Sequence, residues 1–169
     1  MTEKLCLSAL VYNRAGVLLR VAGLFARRGF NIISLTVSET ENPERSRMTI
    51  VSAVEPSSFD QVEQQLLKLE DVIKVIRLTE SNLIASELLL IKVNAINSVR
   101  PEVLDVVSSY GARVRDIGHS TMTLELTGAS QLVDEFIDKM ESFGITELSR
   151  SGSTALGSGD LSINDNRNF

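Results

Sequence analysis

Two asparagines and a glycine carry the most specific chemistry in this sequence. They lie within "VYNRAGVLLRVAGLFARRGFNIISLTV", residues 11–37. Asn13 and Gly16 stand between an extended apolar run and a helical one, and Asn31 follows the glycine that ends that helix. A helix start presents unpaired N–H groups and a partial positive charge, which together suit a carboxylate. Glycine at that point keeps side-chain bulk out of the approach, and an asparagine amide oxygen accepts from an ammonium group. A free amino acid has both a carboxylate and an ammonium. The ordinary reading stays open beside this one: Asn13 as an Asx turn or N-cap, and Gly16 as a turn requirement.

The rest of the chain offers little reactive chemistry. His119 is the only histidine and has no nearby carboxylate pair or nucleophile, so it reads as a turn residue. The single Cys6 excludes an internal disulfide and a cysteine-cluster metal site, and makes a reducing compartment the default. "GDLSINDN" faintly resembles a metal or diphosphate motif but sits in a Gly/Ser-rich tail and reads as disordered. Arg45, Arg47 and Arg150 read as solvated or interfacial charges. There is no Walker loop, no GxGxxG and no triad order, so neither a catalytic residue nor a cofactor or metal site is expected on this chain. A net charge of -5 argues against a nucleic-acid footprint. No apolar run is long enough for a membrane span, and "KLCLSALVYNR" alternates like a strand rather than a signal peptide. The expected location is the cytoplasm or an organelle matrix such as the plastid stroma.

The elements that must position these residues follow from periodicity. From Glu3 to Tyr12, Leu5, Leu7, Ala9 and Val11 alternate with Cys6, Ser8 and Leu10, which predicts a strand. Val17, Leu18, Val21, Ala22 and Phe25 recur at helical spacing, with Arg27 and Arg28 in the last turn and Gly29 as the stop. "NIISLTVSE" and "RMTIVSAVE" predict two strands joined by the polar loop "ENPERS". Phe59, Val62, Leu66 and Leu69 form the stripe of a second helix, and "DVIKVIRLTE" is a fourth strand. The order βαββαβ then recurs after "SNLIAS", from "ELLLIKVNA" to "ITELSRSG".

Two such units predict an α+β protein of two ferredoxin-like βαββαβ domains, each an antiparallel sheet covered on one face by two helices. The expected limits are residues 1–79 for the first domain, 80–84 for a linker, 85–157 for the second domain and 158–169 for a flexible tail. The composition suggests mobility already from Ser153. In this topology "NIISLTVSE" is a sheet edge, with no Pro or Lys to blunt it. A two-fold homodimer through paired edge strands would close it, and would bring Asn31 to the Asn13 loop of the second copy.

"NRAGVLLRVAGLFARRGFNIISLTV", followed by "SRMTIV", closely resembles the small regulatory subunit of acetohydroxyacid synthase, also called acetolactate synthase. The first half resembles its ACT domain, and the likeness extends through "KLEDVIKVIRL", the second unit and "RSGSTAL". The family commonly carries Arg-Gly after this Ala-Leu, where Ser158-Gly159 stands here. The resemblance implies a non-catalytic subunit in branched-chain amino acid biosynthesis. It would activate a large catalytic partner that uses thiamine diphosphate, Mg²⁺ and FAD to condense pyruvate with a 2-keto acid. It would also confer feedback inhibition by a branched-chain amino acid, usually valine. The implied effector contacts are Asn13, Gly16, Val17 and Leu18 of one chain with Asn31 and Ile32 of the other, Leu35 closing the apolar side. An RNA-binding domain of this fold would want basic and aromatic strands, and a hydrolase would need a nucleophile; neither is present. A free-standing ACT sensor for another enzyme is the alternative.

Overall fold

A computed structural model describes residues 2–164 of the chain. Its described residues divide into two compact units, 2–84 together with 153–164, and Ala85–Gly152.

The first unit runs β1 (Glu3–Tyr12), α1 (Val17–Arg28), β2 (Asn31–Glu39), β3 (Arg45–Val54), α2 (Phe59–Leu67) and β4 (Val72–Leu78). Its strands form an antiparallel sheet in the order β2-β3-β1-β4, so β2 is an edge. The two-residue alternation of β1 sends Leu5, Leu7, Ala9 and Val11 to the helix-covered face. There they meet Val17, Val21 and Phe25 of α1 and Val62 and Leu66 of α2. Each such buried aliphatic or aromatic side chain contributes roughly 1.5–3 kcal/mol from removal of apolar surface from water. Gly29 stops α1 with φ 69°, giving its N–H to the Ala26 carbonyl while Phe30 N–H reaches the Phe25 carbonyl. The chain therefore turns directly into β2.

The second unit repeats the plan with β5 (Leu83–Asn94), α3 (Arg100–Ser109), β6 (Arg113–Ile117), β7 (Thr121–Gly128), α4 (Ser130–Glu141) and β8 (Ile145–Arg150). The strand order is β6-β7-β5-β8. Leu89, Ile91 and Val93 pack under Val103 and Val107 of α3 and Phe136 and Met140 of α4. The α+β fold read from the sequence, two βαββαβ units with antiparallel sheets, is the fold observed. A further short strand, β9 (Thr154–Gly157), follows β8.

The residues from Ser153 depart from the expected mobile tail. Ser153, Ala155 and Ile163 are buried, and residues 153–164 are grouped with the first unit. Ser153 N–H donates to Ser34 Oγ at 3.1 Å, and Thr36 Oγ1 donates to the Ser153 carbonyl at 2.8 Å. Ala155 N–H donates to Thr49 Oγ1 at 3.3 Å. Thr49 lies between Met48 and Ile50, which face the helices, so this segment crosses the opposite face of the sheet. That cover explains why Ser8 and Leu10 of β1 are as buried as their helix-facing neighbours. Cys6 lies on the same side, half-buried, and burial pushes its thiol up to about 11, where it stays protonated at neutral pH. Of the expected terminal segment, residues 165–169 lie outside the described residues.

Because Ile163 is 2 % exposed, Ile163→Ala should cost about 2–5 kcal/mol in urea unfolding, the range for truncating a buried isoleucine. A free tail would give no change.

Candidate functional site

The loop between β1 and α1 is tied down by its backbone. Tyr12 N–H donates to the Asp71 carbonyl at 2.9 Å, and Asn13 N–H to the Glu44 carbonyl at 2.8 Å. The Asn13 side chain caps nothing. Its Nδ2 donates to Glu39 Oε1 at 3.0 Å and to the Pro43 carbonyl at 2.9 Å, so both amide hydrogens are used and Oδ1 is left to accept. The N-cap of α1 is Gly16 instead, with φ 85° and ψ -7°. That left-handed conformation is the reason glycine stands there. No side chain caps this end and no acidic residue occupies the first turn, so its partial positive charge is not neutralised locally. Arg20 stands beside it, its charge shared with Asp71. A Cβ on Gly16 would lie 3.0 Å from Arg20 Nη1, while Arg20 Nε and Nη2 pair with Asp71 at 2.6 and 2.5 Å.

Val17 is buried in the core and Leu18 is 46 % exposed, so the two residues after Gly16 differ: one anchors the helix and one is available at the surface. Asn31 begins β2 and is exposed, its carbonyl accepting from Ser52 Oγ at 2.6 Å. Ile32 and Leu35 are three residues apart and would face opposite sides of a regular strand. The β2–β3 register shifts between Ile32 and Ser34, and this bulge brings both side chains against the helix-covered core. Within one chain Asn13 does not meet Asn31. Asn13 is fixed to Glu39, at the far end of β2, about 27 Å from Asn31 along an extended strand.

Two residues that sequence reasoning passed over contribute here. Glu39 and Arg20 come from elements other than the loop, and no local pattern signals their pairing with it. Elsewhere, Arg150 is no solvated charge. It pairs with the buried Glu87 and, at 2.6 Å, with Asp134, and it donates to the Ser130 carbonyl at 3.3 Å. His119 lies between β6 and β7, its carbonyl held by Arg100 at 2.9 Å. Among the described residues no group of three or more His, Cys, Asp or Glu side chains is placed to hold a metal ion. No helix among them is long and apolar enough to cross a membrane.

Fold and loop together define a tandem ferredoxin-like protein whose first unit has an uncapped helix start beside an open sheet edge. Comparison with known proteins narrows that class. A model of the AHAS small subunit-like ACT domain matches residues 7–74, and a model of the small subunit of acetolactate synthase matches residues 86–159. A probable acetolactate synthase small subunit of Methanothermobacter thermautotrophicus is 43% identical over 158 residues, covering 93% of this chain and 94% of that one. The acetolactate synthase small subunit of Mycolicibacterium smegmatis is 41% identical over 157 residues, 93% and 92% of the two chains. The crystal structure of the Thermotoga maritima acetolactate synthase small subunit superposes with a TM-score of 0.86 at 34% identity, covering 94% of this chain and 99% of that one. The chain belongs to the acetolactate synthase small subunit family.

Asn13→Asp should make stability depend on pH in a defined direction. It would set a second carboxylate about 3 Å from Glu39, and each would raise the other's pKa in the folded state. A raised folded pKa gives stability that is present at low pH and lost as pH rises through it. The urea midpoint should therefore fall below wild type by more at neutral pH than near pH 4.

Proposed function

We propose that this chain is a regulatory subunit that binds valine, or a related branched-chain amino acid, between two copies of its first unit. It raises the activity of a thiamine-dependent catalytic subunit and makes that subunit sensitive to feedback inhibition. The thiamine diphosphate, Mg²⁺ and FAD of the reaction belong to the catalytic partner. This chain's share is to bind, orient and transmit.

The observation that carries the reading is the hydrogen bond from Asn13 to Glu39 on an unpaired edge strand. A two-fold pairing of β2 with a second copy, centred near Leu35, sets Asn31 of that copy opposite Glu39 and so beside Asn13. The site then exists only in the dimer. The effector's carboxylate meets the N–H groups at the start of α1, with Arg20 behind them, and its ammonium meets Asn13 Oδ1 and the second Asn31. Leu18, Ile32 and Leu35 offer apolar surface for a branched side chain. The second unit lacks this chemistry: α3 opens with Pro101 and Glu102 in its first turn, and its edge strand β6 carries Arg113 and Arg115.

Gly16→Asp tests the site. The variant should fold with a penalty of about 1–2 kcal/mol for a side chain in the left-handed region. Its carboxylate occupies the effector's place and can pair with Arg20. Reconstituted with the catalytic subunit, it should retain activation and lose inhibition, since an effector that cannot bind transmits no coupling energy. A folded variant with an unchanged valine inhibition curve would remove the loop from the site. The isolated chain should sediment as a dimer at micromolar concentration and form no acetolactate; a monomer that ignores valine, or turnover without the large subunit, overturns the reading.

A further inference from the structure

The face of the first sheet away from the helices holds a cavity of about 250 Å³. Thr36 and Ser38 of β2, Arg47 and Thr49 of β3 and Leu156 of β9 line it, together with Glu39 and Glu41. The register sets Ser38 directly across from Arg47 and Thr36 across from Thr49, so these four side chains share one patch. The volume is below the roughly 300–1,000 Å³ of pockets for drug-sized ligands. It leaves room for a metabolite of a few carbons and more than a single carboxylate side chain needs.

Arg47 is the cation of this cavity, and its circumstances are unusual. It is half-buried, and burial lowers its pKa from the ordinary guanidinium value while Glu41 acts in the opposite direction. Among the described residues it forms no ion pair. The two carboxylates of the cavity are engaged by neutral amides instead. Glu39 Oε1 accepts from Asn13 Nδ2 and Glu41 Oε1 from Asn164 Nδ2, each at 3.0 Å. A half-buried guanidinium with no ion pair has donors to offer an anion that reaches it. Nearby donors are ready as well. Thr49 Oγ1 accepts from Ala155 N–H, which leaves its own O–H to give, and Ser38 presents a second hydroxyl.

We propose that this cavity is a binding site for a small monocarboxylate, its carboxylate forked on Arg47 and supported by the hydroxyls of Ser38 and Thr49, its short alkyl chain against Leu156. A planar carboxylate matches the guanidinium fork with two parallel hydrogen bonds. The charges of the lining select against more highly charged anions, because one arginine faces two glutamates. The site does not rest on the effector reading, since its cation and hydroxyls lie outside the Asn13–Leu18 loop; the two share only Glu39, which lines the cavity and accepts from Asn13. A ligand here would touch β9 and β2 together and so fasten the C-terminal segment to the edge strand.

The test is amide NMR on the intact isotope-labelled chain, titrated with butanoate and separately with inorganic phosphate. Butanoate should give saturable shifts at Thr36, Ser38, Thr49 and Leu156 in the wild type. Arg47→Gln should weaken that binding at least tenfold while the spectrum stays dispersed. Arg47→Lys, which keeps the charge and loses the fork, should fall between the two and serves if the glutamine variant does not fold. Phosphate should bind more weakly than butanoate. Absence of saturable shifts at these residues, or wild-type affinity in a folded Arg47 variant, overturns the site. Phosphate binding as tight as butanoate overturns the carboxylate assignment.

Discussion

Strand β1 is bonded on both edges, to β3 and β4, and buried on both faces, and the first unit is organised around that position. A strand so enclosed can leave the sheet only at its end. The chain does so at Tyr12, where the backbone is held by the Asp71 carbonyl, and it must reverse over the core at once. The glycine at φ 85° makes that reversal without a side-chain cap. An uncapped helix start at the rim of the sheet is therefore a consequence of how tightly the central strand is held. The same four residues of loop bring Asn13 within reach of the edge strand.

The two units show how one topology is used for different ends. Both place their second strand at an edge, and both break its register by a bulge, at Ile32/Ser34 and at Val114/Asp116. They differ in charge and in the opening of the first helix. β2 has no basic residue, whereas β6 has two arginines, which discourage pairing with another chain. Val99 opens α3 with an ordinary negative φ, and Pro101 stands two residues later. The shared plan thus carries two different helix starts: one opened by a left-handed glycine with no acidic residue in its first turn, the other with Glu102 there.

The βαββαβ order was legible because alternation and helical spacing are properties of neighbouring residues, and neighbours are what a sequence displays. Leu5 to Val11 and Val17 to Phe25 announce their faces directly. Asn13 was legible as a special residue but not in its role: its partner Glu39 is 26 positions away, and the adjacent residues point only to an N-cap. The C-terminal segment was misleading for a different reason. Gly, Ser and Asn mark chain without a core of its own, yet Ala155 and Ile163 need only a ready-made sheet face to become buried. Arg47 and Arg150 were indistinguishable as letters; one sits half-buried with no ion pair among the described residues, and the other spans two carboxylates.

The bulge in β2 sets a limit on how this chain can change in length. Leu35 turns inward while Ser34 and Thr36 hold Ser153, and Ile32 shares the inward side only because Ile33 is the supernumerary residue. Gain or loss of one residue on either side of it would exchange the inward and outward sets along part of the strand. The polar turn at residues 40–44 is no easier place for an insertion, because the Pro43 and Glu44 carbonyls hold Asn13. The spacing from Asn31 to Glu39 and the length of the hairpin after it are thus constrained together.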